Sequence, residues 1–225
     1  MRSKRYNHIV KQVATSKALP LTEAVEVLKK TATAKFDSSV EVHVRLGIDP
    51  SHSDQLVRSS VTLPHGTGKT KKVAVFAEAS QQEAAKNSGA DLVGGEDLIA
   101  TIKATGKCDF EVAVATPGMM PKLAGIAKIL GPRGLMPSPK NETITTNIAQ
   151  TVNALKKGRV AFKTDTTGNV HVMVGKASWD NQKIVENVKI FLDTITKLKP
   201  STSKGVFIKS ITLCSTMGPG IKVAT

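Results

Sequence analysis

Two kinds of apolar spacing, laid out in three blocks along the chain, predict an α/β protein of two domains, one inserted into the other. Near both chain ends apolar and polar residues alternate, the pattern of an antiparallel-type sheet with one wet face and packed helices. In the middle, nearly continuous apolar runs mark a parallel sheet covered on both faces. At 225 residues the chain has room for two modest domains with real cores.

In chain order, Leu21, Ala24, Val25 and Leu28 recur at helical spacing behind Pro20, so a helix opens there. Val40, Val42, Val44, Leu46 and Ile48 alternate with Glu41, His43, Arg45 and Gly47, and Val57, Ser59, Val61 and Leu63 suggest a second strand. Val73–Ala77 and Phe110–Ala115 are the continuous runs, separated by helix-like stretches around Ala84 and Leu98; a further helix carries Ile148, Val152 and Leu155. Val160, Phe162 and Thr164 are expected to form a hairpin with Val170, Val172 and Val174 across the turn Asp165–Asn169. Ile184, Val188, Phe191, Ile195 and Leu198 line one face of a long helix, with Ser178 as its N-cap and Pro200 beyond its end. A last strand runs from about Val206 to Leu213. Gly/Pro-rich segments at Pro64–Lys69 and Lys157–Arg159 bracket the middle block. They set the expected division: residues 1–66 with 160–225 as a discontinuous domain, and 67–159 inserted.

Charge points to a partner. The 32 Lys and Arg against 18 Asp and Glu give a net charge of +14, the footprint of a protein that binds a polyanion. Both expected domains are net positive, so charge does not choose the face. Aromatic residues are only 4%, too few for a row of stacking rings along a single strand. Structured nucleic acid, held by backbone and shape, fits better. Hydrophobic content of 40% is ordinary for a globular chain, and no apolar run approaches the roughly 20 residues of a membrane span. The basic start MRSKRYNHIVKQ lacks an apolar stretch after it and does not read as a secretory signal, so the expected location is cytoplasmic. Cys108 and Cys214 stand far apart, and His8, His43, His52, His65 and His171 are scattered without metal-ligand spacing. No disulfide, metal or cofactor is expected.

Four segments invite a functional reading, each beside a plainer one. Gly66-Thr67-Gly68-Lys69-Thr70 ends like a phosphate-binding loop, but Leu63 stands where the first glycine is required, and the loop precedes an apolar run instead of opening a helix. A hinge between domains, using Pro64, Gly66, Gly68 and Gly158, is the expected role. Phe36, beside Lys35, either plugs the core or braces an RNA backbone while Lys35 meets a phosphate. Ser215–Gly220 is either a chain-terminal turn or a place where glycine lets a nucleic-acid backbone approach. Arg133 and Lys140 lie in a Pro/Gly-rich loop that is structural whether or not they touch RNA.

Leu63–Lys69, Ile129–Pro137 and Ser215–Pro219, in this order and spacing, closely resemble the bacterial-type family of large-subunit ribosomal protein L-one, over essentially the whole chain. The resemblance implies a discontinuous RNA-binding domain and an inserted Rossmann-like domain without a nucleotide. It implies a structural protein, not an enzyme, that binds 23S rRNA of the mobile stalk near the tRNA exit site, assists release of deacylated tRNA and represses translation of its own operon mRNA. Its expected partners are that rRNA, exit-site tRNA and the mRNA, with no membrane, and the free protein is expected to be a monomer. Carried over string by string, the rRNA contacts fall on Lys35, Phe36, Thr166, His171, Ser210, Thr216, Met217 and Gly218. Two other classes stay open: an enzyme using the inserted domain, against which no nucleophile–base pair is readable, and a DNA-binding regulator, for which no helix-turn-helix or zinc-finger pattern is evident.

Overall fold

A computed structural model describes residues 3–13, 18–52 and 54–224. Met1 and Arg2 of the basic start, and Thr225, lie outside the described residues. The chain divides into two compact units, Met1–Gly68 with Val160–Thr225, and Lys69–Arg159.

The first unit begins with α1 (Lys4–Val13), α2 (Leu21–Thr31), β1 (Ser39–Leu46) and β2 (Arg58–Thr62). The chain then builds the second unit from β3 (Val73–Phe76), α3 (Ala79–Asn87), β4 (Leu92–Gly94), α4 (Glu96–Thr105), β5 (Val112–Ala115), the short turns α5 (Met120–Leu123) and α6 (Ala127–Leu130), and α7 (Ile148–Lys156). It returns to the first unit through β6 (Arg159–Lys163), β7 (Asn169–Lys176), α8 (Asn181–Lys197), β8 (Ile208–Ser215) and β9 (Ile221–Val223).

The four-stranded sheet of the first unit has the order β7-β1-β8-β9, and its ladders are antiparallel. On β1 the alternation sends Val40, Val42, Val44 and Leu46 inward and leaves Glu41, His43 and Arg45 on the other face. The inward row meets Val25 and Leu28 of α2 and Ile184, Val188, Phe191 and Ile195 of α8 in one core. Both helices therefore cover the same face, and burying their apolar stripes leaves the opposite face open.

The expected hairpin between β6 and β7 is reduced to one antiparallel bridge, Thr164–Val170. β7 pairs with β1, whereas β6 pairs with β2 in a two-stranded sheet of its own. After the bridge β6 turns aside to bury Phe162 edge-on against Phe191, with ring centroids 5.5 Å apart, and burial of two rings outweighs continuation of the ladder. The N-cap of α8 is Asp180, not Ser178. Ser178 is instead held by Asp37, whose carboxylate accepts from its N–H and its hydroxyl. The last strand starts at Ile208, leaving Val206 exposed, and β9 adds an edge strand that its three residues were too short to announce.

In the second unit the order is β4-β3-β5, all parallel. Ala74 and Phe76 face one core with Ile102, Leu123 and Ile126, while Val73, Val75 and Ala77 face another with Ala85, Ile148 and Val152. Burial on both faces explains why β3 reads as an unbroken apolar run. Among the described residues no helix is long and apolar enough to cross a membrane.

Candidate nucleic-acid interface

The register of the sheet decides what its open face carries. Across the middle, His171 of β7, His43 of β1, Thr212 of β8 and Lys222 of β9 form one row. Toward one end lie Met173, Glu41 and Cys214, and toward the other Asn169, Arg45 and Ser210. The eight residues of β1 give this face a length of roughly 25 Å at about 3.3 Å per residue.

Two turns meet at the Ser39 end. Thr216 donates its N–H to the Ser39 carbonyl at 3.0 Å, and its hydroxyl accepts the Ser39 N–H at 3.1 Å. Met217, next in the turn, is 68% exposed and has φ of 63°, a left-handed conformation costly for a residue with a long side chain. Arg5 of α1 holds the turn from the outside, donating to the Met217 carbonyl at 3.0 Å and to the Thr33 hydroxyl at 3.1 Å. A Cβ on Gly218 would lie 2.3 Å from Ser215 Oγ, so this position has no room for a side chain. Ser215–Gly220 thus links β8 to β9 and is not a chain-terminal turn.

Lys35 and Phe36 precede Ser39 at the same end. Phe36 is 56% exposed, so the core-plug reading fails; Ser38 and Val40 take the inward positions beside it. The loop is tied down by Asp37 through Ser178 and by Lys176, whose ammonium donates to the Asp37 carbonyl at 3.2 Å.

The opposite end holds the Asp165–Asn169 loop. Asp165 Oδ1 accepts from the N–H groups of Thr167 and Asn169 at 2.9 and 2.7 Å, and Oδ2 faces His171 Nε2 at 3.3 Å. The Asn169 N–H, followed by Thr167 and His171, holds the Asp165 carboxyl far below the usual carboxylate range. Thr166 stands exposed at the tip of this ordered loop. Gly168, with φ of 78°, closes it and accepts the Leu46 N–H. In the central row, burial, followed by neighbouring His171, lowers the pKa of His43, while Glu41 opposes the shift. Burial, aided by Glu41, pushes the Cys214 thiol up to about 11.

Lys35, Phe36, Thr216, Met217 and Gly218 are therefore gathered at one end of the open face, Thr166 and Ser210 at the other, and His171 between them. Arg133 and Lys140 are exposed in the second unit, Arg133 in a turn and Lys140 in the single helical turn Pro139–Asn141. Pro64 and Gly66 sit in a turn fastened to the first unit: buried Asn187 of α8 donates to the carbonyls of Gly66 and Val174 at 3.0 and 2.7 Å, and its Oδ1 accepts the His65 N–H. Gly68 and Gly158 have φ of 74° and 104° where the chain passes between units.

Arg45 and Thr212 also face outward here, as the alternation in their strands signals, whereas Lys222 sits on a strand too short to be read from sequence and the grip of Arg5 on a turn 212 residues away leaves no local signal. A family model described as "Ribosomal protein L1p/L10e family" matches residues 28–219. Proteins named "Large ribosomal subunit protein uL1" from Thermosipho melanesiensis, Thermosipho africanus and Fervidobacterium nodosum are 52%, 53% and 52% identical over 221 residues, spanning 98% of this chain and 95%, 95% and 94% of theirs. A match of this length and identity spans both units, and the chain belongs to the ribosomal protein L1p/L10e family.

Proposed function

We propose that this chain is a structural protein of the large ribosomal subunit in the cytoplasm and that it binds 23S rRNA across the open sheet face of its first unit. The observation that carries this reading is the gathering of two turns at Ser39. They set exposed Phe36 and Met217 beside Lys35 and the Thr216 hydroxyl, on a preformed surface that continues along the sheet to Ser210 and Thr166. An apolar side chain and a ring can lie against sugars and bases while Lys35 and Arg45 meet phosphates, which suits RNA recognised by shape and 2′-OH groups. Thr216 already spends its proton and one lone pair on Ser39, so its hydroxyl is suited to accept one bond from a ribose 2′-OH.

In this reading the rRNA is that of the mobile stalk near the tRNA exit site. Arg133 and Lys140 of the second unit are secondary RNA contacts, the protein assists release of deacylated tRNA, and the first unit recognises a similar fold in its own operon mRNA to repress translation. Gly68 and Gly158 serve as the hinge, with Pro64 and Gly66 anchored on the first unit's side of it. The chemistry is recognition and not catalysis. Crosslinking in cells followed by sequencing of the bound RNA tests the proposal. One dominant rRNA site lost in Phe36→Ala supports it, and crosslinks spread evenly over unrelated RNAs overturn it.

A further inference from the structure

The same register that forms the open face brings together three side chains no local motif connects. Glu41 and His43 are neighbours on one face of β1, and Cys214 lies opposite Glu41 on β8. One carboxylate oxygen, one imidazole nitrogen and the sulfur all lie within 4.8 Å of one another. His43 Nε2 is 2.9 Å from Cys214 Sγ and 3.9 Å from Glu41 Oε2. A tetrahedral zinc ion, with the bond lengths usual for nitrogen, oxygen and sulfur, needs about 3.4–3.6 Å between its donor atoms. Rotamer adjustments of about 0.5–0.7 Å bring both His43 separations to these values, and Glu41 and Cys214, within 4.8 Å of each other, reach theirs by closing at most about 1.2 Å.

The other nitrogen of His43 is already oriented. His43 Nδ1 and His171 Nδ1 are 2.7 Å apart, and His171 Nε2 is 3.3 Å from Asp165 Oδ2. One assignment of protons serves the whole chain. His171 Nε2–H donates to Asp165, His43 Nδ1–H donates to His171, and the lone pair of His43 Nε2 points toward Cys214 and Glu41. This is the outer support that ligating histidines characteristically have. The Glu41 carboxylate lies on the open face with His43 as its ionic neighbour, at 3.9 Å.

We propose that Glu41, His43 and Cys214 form a binding site for a zinc-class transition-metal ion on the open sheet face, with His171 as a positioning residue. On binding, the Cys214 S–H bond breaks, its proton passes to solvent and the thiolate pair is given to the metal. His43 Nε2 and a Glu41 oxygen supply the second and third bonds, and water takes the fourth. Mixed thiolate, imidazole and carboxylate donors suit Zn²⁺ over Mg²⁺ or Ca²⁺, which prefer all-oxygen shells. The proposal rests on side-chain geometry and not on the RNA reading, although the site shares the open face, and His171, with the surface assigned to RNA.

The test uses the full chain, reduced and stripped with a chelator, titrated with Co²⁺ as a coloured stand-in for zinc. The expected result is tetrahedral visible bands and a thiolate-to-cobalt charge-transfer band that saturate at one equivalent and disappear when Zn²⁺ is added. Both signals should vanish in Cys214→Ser and His43→Gln and persist in Cys108→Ser, whose thiol lies in the second unit. His171→Phe should keep the charge-transfer band and weaken binding about 10–100-fold. Failure of the unmutated chain to give a charge-transfer band overturns the proposal, as does persistence of that band in Cys214→Ser. Circular dichroism of each variant separates loss of the site from loss of the fold.

Discussion

The Thr216 hydroxyl and the Ser39 backbone are bonded in both directions, accepting the Ser39 N–H at 3.1 Å and facing the Ser39 carbonyl at 3.3 Å. This side chain therefore fixes the turn whether or not RNA is present. Thr216→Val should lower stability by about 1–2 kcal/mol in urea unfolding, because the Ser39 N–H loses its acceptor. Thr216→Ser should restore it. RNA affinity should follow the same order, and a Val variant as stable as the parent would remove Thr216 from the turn's support.

Met217 offers a cleaner separation of fold from recognition. Its φ of 63° suits glycine, and its side chain is mostly in solvent. Met217→Gly should leave stability unchanged or raise it by up to about 1 kcal/mol, since a strained left-handed residue is relieved. RNA binding should fall nonetheless, and Met217→Asp should bind still more weakly by facing phosphate with a like charge. Parallel thermal melts and RNA titrations check this. Unaltered RNA affinity in both variants would place the contact elsewhere.

Phe36 should behave similarly without the backbone effect. Because it is exposed, Phe36→Ala should move stability by no more than about 0.5 kcal/mol. If the ring stacks on RNA, the same change should cost about 1–3 kcal/mol of binding, read by filter binding at fixed salt.

What was legible in the sequence follows from the range of the forces involved. The alternation in β1 and the unbroken runs of β3 and β5 are local consequences of one-sided and two-sided burial, so those strands and the class of each sheet could be read directly. The partner of β6 could not, because Phe162 answers to Phe191 on a helix well downstream. Ser178 looked like a cap until Asp37, 141 residues away, engaged it. The convergence of Glu41, His43 and Cys214 likewise depends on the β1–β8 register, which spacing along the chain does not express.

The Asp165 loop has a pH signature. Its carboxyl pKa is depressed in the folded protein, chiefly by the Asn169 N–H. The stabilisation is thus complete above the unfolded value near pH 4 and is lost as pH falls toward the folded pKa. Asp165→Asn should flatten the decline of the urea midpoint below about pH 4 while leaving the profile near neutrality less affected. A parent and variant with parallel acid limbs would show that the carboxylate contributes nothing to the loop.

The two units should also separate in solution. The core around Val42, Leu28 and Phe191 is made wholly of residues from the first unit, and the two cores of the second unit are made wholly of residues between Val73 and Leu155. Each of these cores is thus complete within its own unit among the described residues, so excising the second unit leaves the first unit's core intact. Residues 1–68 joined to 160–225 by a short Gly/Ser linker should unfold cooperatively and keep most of the rRNA affinity. This fragment holds both turns at Ser39, the Asp165 loop and the whole open face. Residues 69–159 alone should bind the same rRNA hairpin weakly and lose that binding steeply with salt, as expected of loop lysines and arginines meeting phosphate without a preformed surface. Titrating both fragments with one labelled hairpin at two salt concentrations decides the matter. Equal affinities would move the interface off the sheet and onto charge shared by both units.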